Sequence, residues 1–549
     1  MGIITFVGFT LLVAAIAYIA TRNTDESTAD GFYLGGRSLT AVTIAGSLLL
    51  TNLSTEQIVG LNGQAFTEGV LVMAWETLAA IAMVVTAVFL LPRYLKDGLT
   101  TIPEFIEKRF DTGTKSIVTL LFLSGYMIVL LPSILYSGSL AFSNIFELPE
   151  MFGVSKTATI WICTWSIGLI GMVYAIFGGL KAVAVSDLVN AVGLLIGGIL
   201  IPIFGLSLVG DGSIIDGFNT LWTEHPEKFD AKGGPSSSIP FGTIFTGMML
   251  VQMFYWGTNQ AIIQRVFAAK NLKEGQMGLL LAAFIKILGP LIVVLPGIIA
   301  FHLYGDQITD PDTAYPILVR KVLPVGLVGF FAAVLFGAVL SSFNSALNSC
   351  ATLFGFDLYR THIKKDATEK QSVRAGKIFG LGLGFAAMII APFIANAPDG
   401  LFSWLQEANG CYSIPILSMI VIGYFTKRVP AFAAKIGLLS GVILYSISQF
   451  LIKPMVADNA REAAIAQGIT GEAELNLIQA GAYPHFLHVM AILFVLNICI
   501  MLALGAWKPR SVPFAFKGTN EVDITPWKYV GVVGIAICAV VISTYFIFQ

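Results

Sequence analysis

Apolar runs about as long as a bilayer is thick recur along the chain from Ile3 to Phe548. Backbone groups in hydrocarbon must satisfy one another, so runs of this length are committed to α-helix. Hydrophobic residues make up 56% of the 549 and charged residues only 12%, which leaves too little polar surface for soluble domains of this size. A window of about 19 residues divides the chain into fourteen predicted spans: 3–21, 40–60, 69–92, 116–142, 157–178, 185–209, 240–263, 277–301, 322–358, 375–394, 398–424, 430–452, 486–507 and 529–548. The expected fold class is an all-α polytopic membrane protein with about 14 transmembrane helices. The run from Ile3 to Ala20 has neither a basic leader nor a small-residue cleavage site before Arg22, so it reads as a retained helix.

Charge placement sets the orientation. Twenty-four lysines and arginines fall in loops on one side, Arg22, Arg109, Lys115, Arg265 and Lys517 among them, against seven on the other. The basic side is cytoplasmic, so both chain ends lie outside a plasma or inner membrane. Two hydrophilic segments stand outside: Gly210–Ser238, read as an irregular loop, and Lys453–Pro484, read as partly helical. With a net charge of −1 and no basic block, nucleic acid is not an expected partner.

The one cation left over is Lys286, about nine residues into its span and so roughly 13 Å deep. An ammonium at that depth costs about 2.5–3.5 kcal/mol, so it requires a wet cavity and a partner. Glu76 is the acid nearest mid-span; Glu56 and Asp187 lie nearer span ends, where an acid is ordinarily solvated. The pair could be structural or could line a polar-ligand site. The stretch Leu50–Gly60, LTNLSTEQIVG, puts Asn52, Ser54, Thr55, Glu56 and Gln57 inside a span. These side chains compete with helical hydrogen bonding, which predicts a break beside a cavity, with interhelical hydrogen bonding as the alternative. A second interruption, FYWGTNQ at Phe254–Gln260, follows five spans later. An odd repeat inverts in the membrane, so spans 40–209 and 240–424 read as a 5+5 inverted repeat with paired broken helices. The segments are then 1–39, an extra helix; 40–209 and 240–424, the repeats; 210–239, an outer loop; and 425–549, three further helices with a loop at 453–485. In GAVLSSFNSALNS, residues 337–349, Ala338, Ser341 and Ser342 share one helix face and offer oxygen to a small cation, or to their own backbone.

Other classes have less to stand on. All five histidines lie in loops or at span ends without a catalytic motif, which argues against a membrane enzyme. The five cysteines are isolated within or beside apolar runs, with no disulfide framework or metal-site spacing. A channel, a sensor and a proton-coupled transporter are further alternatives, the last because Asp187 or Glu56 could titrate.

In FYLGGRSL, NLSTEQIVG, TIPEFIEKRF, YAIFGGLKAV, YWGTNQAIIQR, VVLPG, VLSSFNSALNS and WLQEANG the chain resembles the solute:sodium symporter family, in particular its bacterial sodium/galactose and sodium/glucose branch. The resemblance implies a leucine-transporter-type fold and sodium-coupled sugar import, with Na+ as coupling ion and no other cofactor. It implies a sodium site from the backbone oxygens of Leu50 and Leu53 with Ala338, Ser341 and Ser342. It implies a sugar site from Gln57, Glu76, Lys286 and Gln406, with Asn52, Ser54, Glu56 and Gln252 nearby. Tyr255 matches an aromatic gate, Phe402 lies beside it, and Asp187 matches an acid on the sodium exit route. Gln252 replaces an asparagine of the galactose type, Ala79 a serine and Trp75 a tyrosine, so the sugar itself stays open, as does the oligomeric state. Because Glu76 and Lys286 nearly cancel, a neutral hexose is expected over a uronate or sialic-acid-type anion.

Overall fold

The computed structural model describes residues 2–21, 29–177, 179–396, 401–515, 518 and 522–548. Arg22, Gly178, Lys517 and the first residues of the 398–424 span lie outside them. Among the described residues the fold is all-helical, with a single β-bridge between Leu39 and Ala269. Ten helices are long and apolar enough to cross a membrane, or eleven if Leu272–Ile287 and Gly289–Tyr304, bent by 50°, count as one span. Three predicted spans fall outside that count. Ile4–Ala20 and Ala41–Asn52 are shorter apolar helices, and 240–263 is divided into Phe241–Ile244, Gly247–Gly257 and Gln260–Phe267.

Thr55–Lys96 is helical over 42 residues, about twice what one crossing needs. Gly69 divides it, with φ 76° and ψ −144°, a region closed to residues with a Cβ. The Thr55–Glu68 helix therefore continues the crossing begun at Ala41, and Ala74–Val85 starts the next. The carbonyls ending Thr55–Glu68 are capped from the 210–239 segment. Lys228 Nζ donates to Phe66 O at 2.8 Å and to Thr67 O at 2.5 Å, a cation set against the negative end of the helix.

One loop reading changes and one holds. Gly210–Ser238 is not irregular throughout: it holds a helix, Ile214–Glu224, and a 3-10 turn, Pro226–Phe229. Ser213 caps that helix by accepting from Asp216 N at 3.2 Å, while Leu221 is buried. Lys453–Pro484 is partly helical, as expected, over Lys453–Ala466 and Glu472–Gly481.

Four cations counted as loop charges are buried: Arg265, Arg109, Lys115 and Lys228. Arg109 donates to Gly423 O, Thr426 O and Val429 O at 3.0–3.2 Å, so it satisfies carbonyls at and beyond the end of Leu401–Phe425. Such a residue reports on packing as much as on orientation.

At the centre, Ala41–Asn52 packs against both Leu180–Val209 and Leu272–Ile287. Glycines allow this approach. A Cβ at Gly46 would lie 2.7 Å from the Leu188 side chain, and one at Gly278 would lie 2.8 Å from Ile44. Val325–Thr352 completes the centre against Leu180–Val209, Gly2–Thr21 and Leu131–Ile145.

A Cβ at Gly69 would fall 2.1 Å from Lys228 O. Gly69→Ala is expected to cost about 1–3 kcal/mol in backbone strain alone, read as a lowered thermal midpoint of the purified protein, whereas Gly382→Ala, which meets nothing inside its helix, does not lower the midpoint.

Candidate functional site

The first interruption falls where the polar run stands. Leu53 leaves the helix at φ −77°, ψ 53°, Ser54 is extended, and a new helix starts at Thr55. Leu53 N donates to Leu49 O at 2.6 Å and closes the last turn. The carbonyls of Leu50, Thr51, Asn52 and Leu53 then lack an intrahelical donor. One is satisfied from across the bundle, since Ser342 Oγ donates to Thr51 O at 2.9 Å. On the far side Thr55 Oγ1 and Ser137 Oγ share a hydrogen bond of 2.9 Å, and Ser54 donates to Glu56.

The second interruption ends Gly247–Gly257 at Thr258 and restarts at Gln260. Asn259 caps the new helix, its Oδ1 accepting from Ala261 N at 3.0 Å and from Tyr126 OH at 2.6 Å. Tyr126 is fully buried and also accepts from Ala261 N at 3.0 Å. Sequence reasoning missed it, because it stands alone among apolar residues.

Near these breaks lies the buried pair. Lys286 Nζ is 2.5 Å from Glu76 Oε2, with both side chains fully buried, and Gln57 Nε2 donates to Glu76 Oε1 at 2.6 Å. The helix bearing Lys286 bends immediately after it, a feature that span counting did not reveal. The bend has a local reason: a Cβ at Gly289 would lie 2.4 Å from Glu76 Oε2, and Pro290 removes a backbone donor in the next turn.

Trp256 stands over Lys286, its ring centre 5.9 Å from Nζ. Gln252 donates to Trp75 O at 2.9 Å and accepts from Trp256 Nε1 at 3.2 Å. Trp75 meets Phe402 edge to face at 5.2 Å. Gln406, one turn beyond Phe402, is half-buried and has no hydrogen bond to these residues. Tyr255, on the second interrupted helix, lies beside Asn52 of the first. The structure thus brings Gln57, Glu76 and Lys286 into direct contact, and Gln252, Trp75 and Phe402 into an adjoining wall.

Around the serine-bearing helix several polar atoms are buried without a partner: Ser341 Oγ, Thr51 Oγ1, Asn52 Oδ1 and both side-chain atoms of Asn344. Orphaned groups of this kind are rare and costly.

Asp187 is not solvated at a span end but fully buried, accepting from Ser47 Oγ at 2.5 Å. Its cationic neighbour is Arg265, Nη2 to Oδ2 3.9 Å, which also donates to Ser47 Oγ at 2.7 Å, to Ala261 O and to Ser345. One guanidinium therefore ties together both interrupted helices and the helices of Asp187 and Ser345. A signal existed in the sequence: Gln260, Gln264 and Arg265 recur within one short helix straight after the break, and all three are buried.

A helical membrane bundle with two interrupted helices around buried charges defines a secondary transporter. The chain belongs to the sodium:solute symporter family, whose model matches residues 32–441. It is 46% identical over 545 residues to an uncharacterized symporter, YidK, of Escherichia coli K12, covering 99% of this chain and 90% of that one. A sodium/glucose cotransporter of Vibrio parahaemolyticus is 31% identical over 80% of this chain and 84% of its own. Human sodium/myo-inositol cotransporter 2 is 29% identical over 79% and 67%, respectively. Among solved structures, an outward-open Na+-coupled sialic acid symporter superposes with a TM-score of 0.72 over 93% of this chain and 99% of that one, at 18% identity.

Leaving one charge of a buried pair unpaired costs about 3–5 kcal/mol. Glu76→Gln and Lys286→Met are each expected to lower the thermal midpoint, and the double variant to recover most of the loss without regaining solute uptake. Recovery of uptake in the double variant would reduce the pair to a structural element.

Proposed function

We propose that this chain imports a neutral, hexose-like sugar together with sodium by alternating access. The observation that carries the reading is the buried Gln57–Glu76–Lys286 network beside two helix interruptions. A sugar hydroxyl both donates and accepts, so carboxylate, ammonium and amide together can satisfy several in a dry pocket. Gln406, Asn52, Ser54 and Glu56 would complete the polar lining, Gln252 would brace it, and Tyr255 with Phe402 would close it.

In this reading fourteen helices cross the membrane with both ends outside. Residues 40–209 and 240–424 form the inverted five-helix repeats, 1–39 precedes them, 210–239 is an outer loop, and 425–549 adds three helices. Sodium would bind the carbonyls of Leu50, Leu53 and Ala338 with the hydroxyls of Ser341 and Ser342. The helix end that frees the first two carbonyls and the orphaned Ser341 Oγ support this. The ion would hold the first interrupted helix against the serine-bearing helix and so complete the sugar site; on release it would pass Asp187, where Arg265 waits as a competing cation. One ion moving through about 100 mV and a tenfold gradient supplies about 2.3 plus 1.4 kcal/mol, enough for a few-hundred-fold accumulation.

A sodium symporter for an anionic sugar is the second reading, favoured by the fold shared with the sialic acid symporter. The neutral reading is better supported: Glu76 already offsets Lys286, and the glucose and myo-inositol cotransporters among the relatives take their names from uncharged solutes.

Reconstituted vesicles offered labelled sugars with and without an inward sodium gradient test both readings. Uptake of a neutral hexose or polyol only with sodium is expected. Uptake that survives potassium replacement but collapses with the pH gradient overturns the ion assignment, and selective uptake of uronates overturns the neutral one. Ser342→Ala is expected to raise the sodium concentration for half-maximal uptake about tenfold or more, while Lys286→Ala abolishes sugar binding.

A further inference from the structure

A second cluster lies at the C-terminal end of the bent helix that carries Lys286 at its bend. His302 stands two residues before the end of Leu295–Tyr304, while Glu224 and His225 end the Ile214–Glu224 helix of the outer loop. We propose that Glu224, His225 and His302 bind one divalent transition-metal ion of the zinc class.

The ligand atoms are already gathered. His225 Nε2 is 3.0 Å from His302 Nδ1, Glu224 Oε2 is 3.6 Å from His302 Nδ1, and all three lie within 4.8 Å of one another. Zinc held by imidazole and carboxylate at about 2.0–2.2 Å in a tetrahedron places its ligand atoms about 3.4 Å apart. The observed edges bracket that value, so small side-chain rotations admit the ion. Consecutive residues converge because the helix stops between them: His225 has φ −130°, ψ 55°, which turns its ring out of the helical path.

The surroundings suit a metal. Glu227 Oε1 is 3.6 Å from His225 Nδ1, the nitrogen left over when Nε2 ligates, so the carboxylate can accept that N–H and orient the ring. Phe301 packs edge to face on His225 at 5.2 Å. The ammonium of Lys228, 3.8 Å from the centre of the Phe301 ring, is engaged by the carbonyls of Phe66 and Thr67. The Glu224 side chain is 58% exposed, which leaves the remaining position open to water. The donor set of two imidazoles and one carboxylate matches zinc, nickel or copper(II), and not the sodium of the transport site. Without a metal, the two rings share one N–H···N bond.

The test is a cobalt(II) titration of the full-length protein, purified without a histidine tag and followed by visible absorption. Expected is saturation at one equivalent, with the bands displaced by zinc. His302→Ala and His225→Ala should remove the signal, and Glu227→Gln, a positioning change, should weaken binding about tenfold or more. His488→Ala and His362→Ala, outside the cluster, should leave it intact. Folding of the variants is checked by sodium-dependent uptake in chelator. Absence of cobalt bands from the wild type, or bands that persist unchanged in both His225→Ala and His302→Ala, overturns the proposal.

Discussion

A helix can be interrupted inside a bilayer only where neighbouring protein satisfies the backbone groups that the break sets free. Most of the central packing follows from this constraint. At the first interruption Ser342 reaches across to Thr51 O, and the first turn of the new helix is tied to Ser137. At the second, Asn259 and Tyr126 together serve Ala261 N. Each break thus recruits a helix from elsewhere in the chain.

The Glu76–Lys286 pair obeys the same economy of partners. Neither charge could be held at that depth alone, and the glycine at 289 together with the bend beside it makes room for the carboxylate. Arg265 performs the matching task around Asp187, where four helices meet on one guanidinium. The sugar-site candidates and the Asp187 cluster therefore share the interrupted helices as their common frame.

Tertiary contacts resolve sequence features that local physics left ambiguous. The serines at 341 and 342 could have bonded their own backbone, yet one of them reaches another helix and the other is buried without a partner. Ser345, in the same run, accepts from Arg265 and donates to Ser341 O at 2.5 Å, so its polarity belongs to the arginine cluster. Gln252 shows the reverse: a residue marked as a solute contact has both ends of its amide occupied by tryptophans.

The sequence by itself determined the helical membrane class, both interruptions, and the pairing of Lys286 with Glu76. Each follows from a cost that any lipid-facing arrangement would incur: unsatisfied backbone, clustered polar side chains, or an isolated charge. Tertiary structure alone decided the burial of Arg109 and Lys115, the role of Tyr126, and the meeting of His225 with His302. None of these leaves a periodic or compositional trace, because each depends on which distant carbonyl, carboxylate or ring lies opposite. A cation near a span end looks the same in sequence whether water or a ring of carbonyls solvates it, and only the packed bundle separates the two.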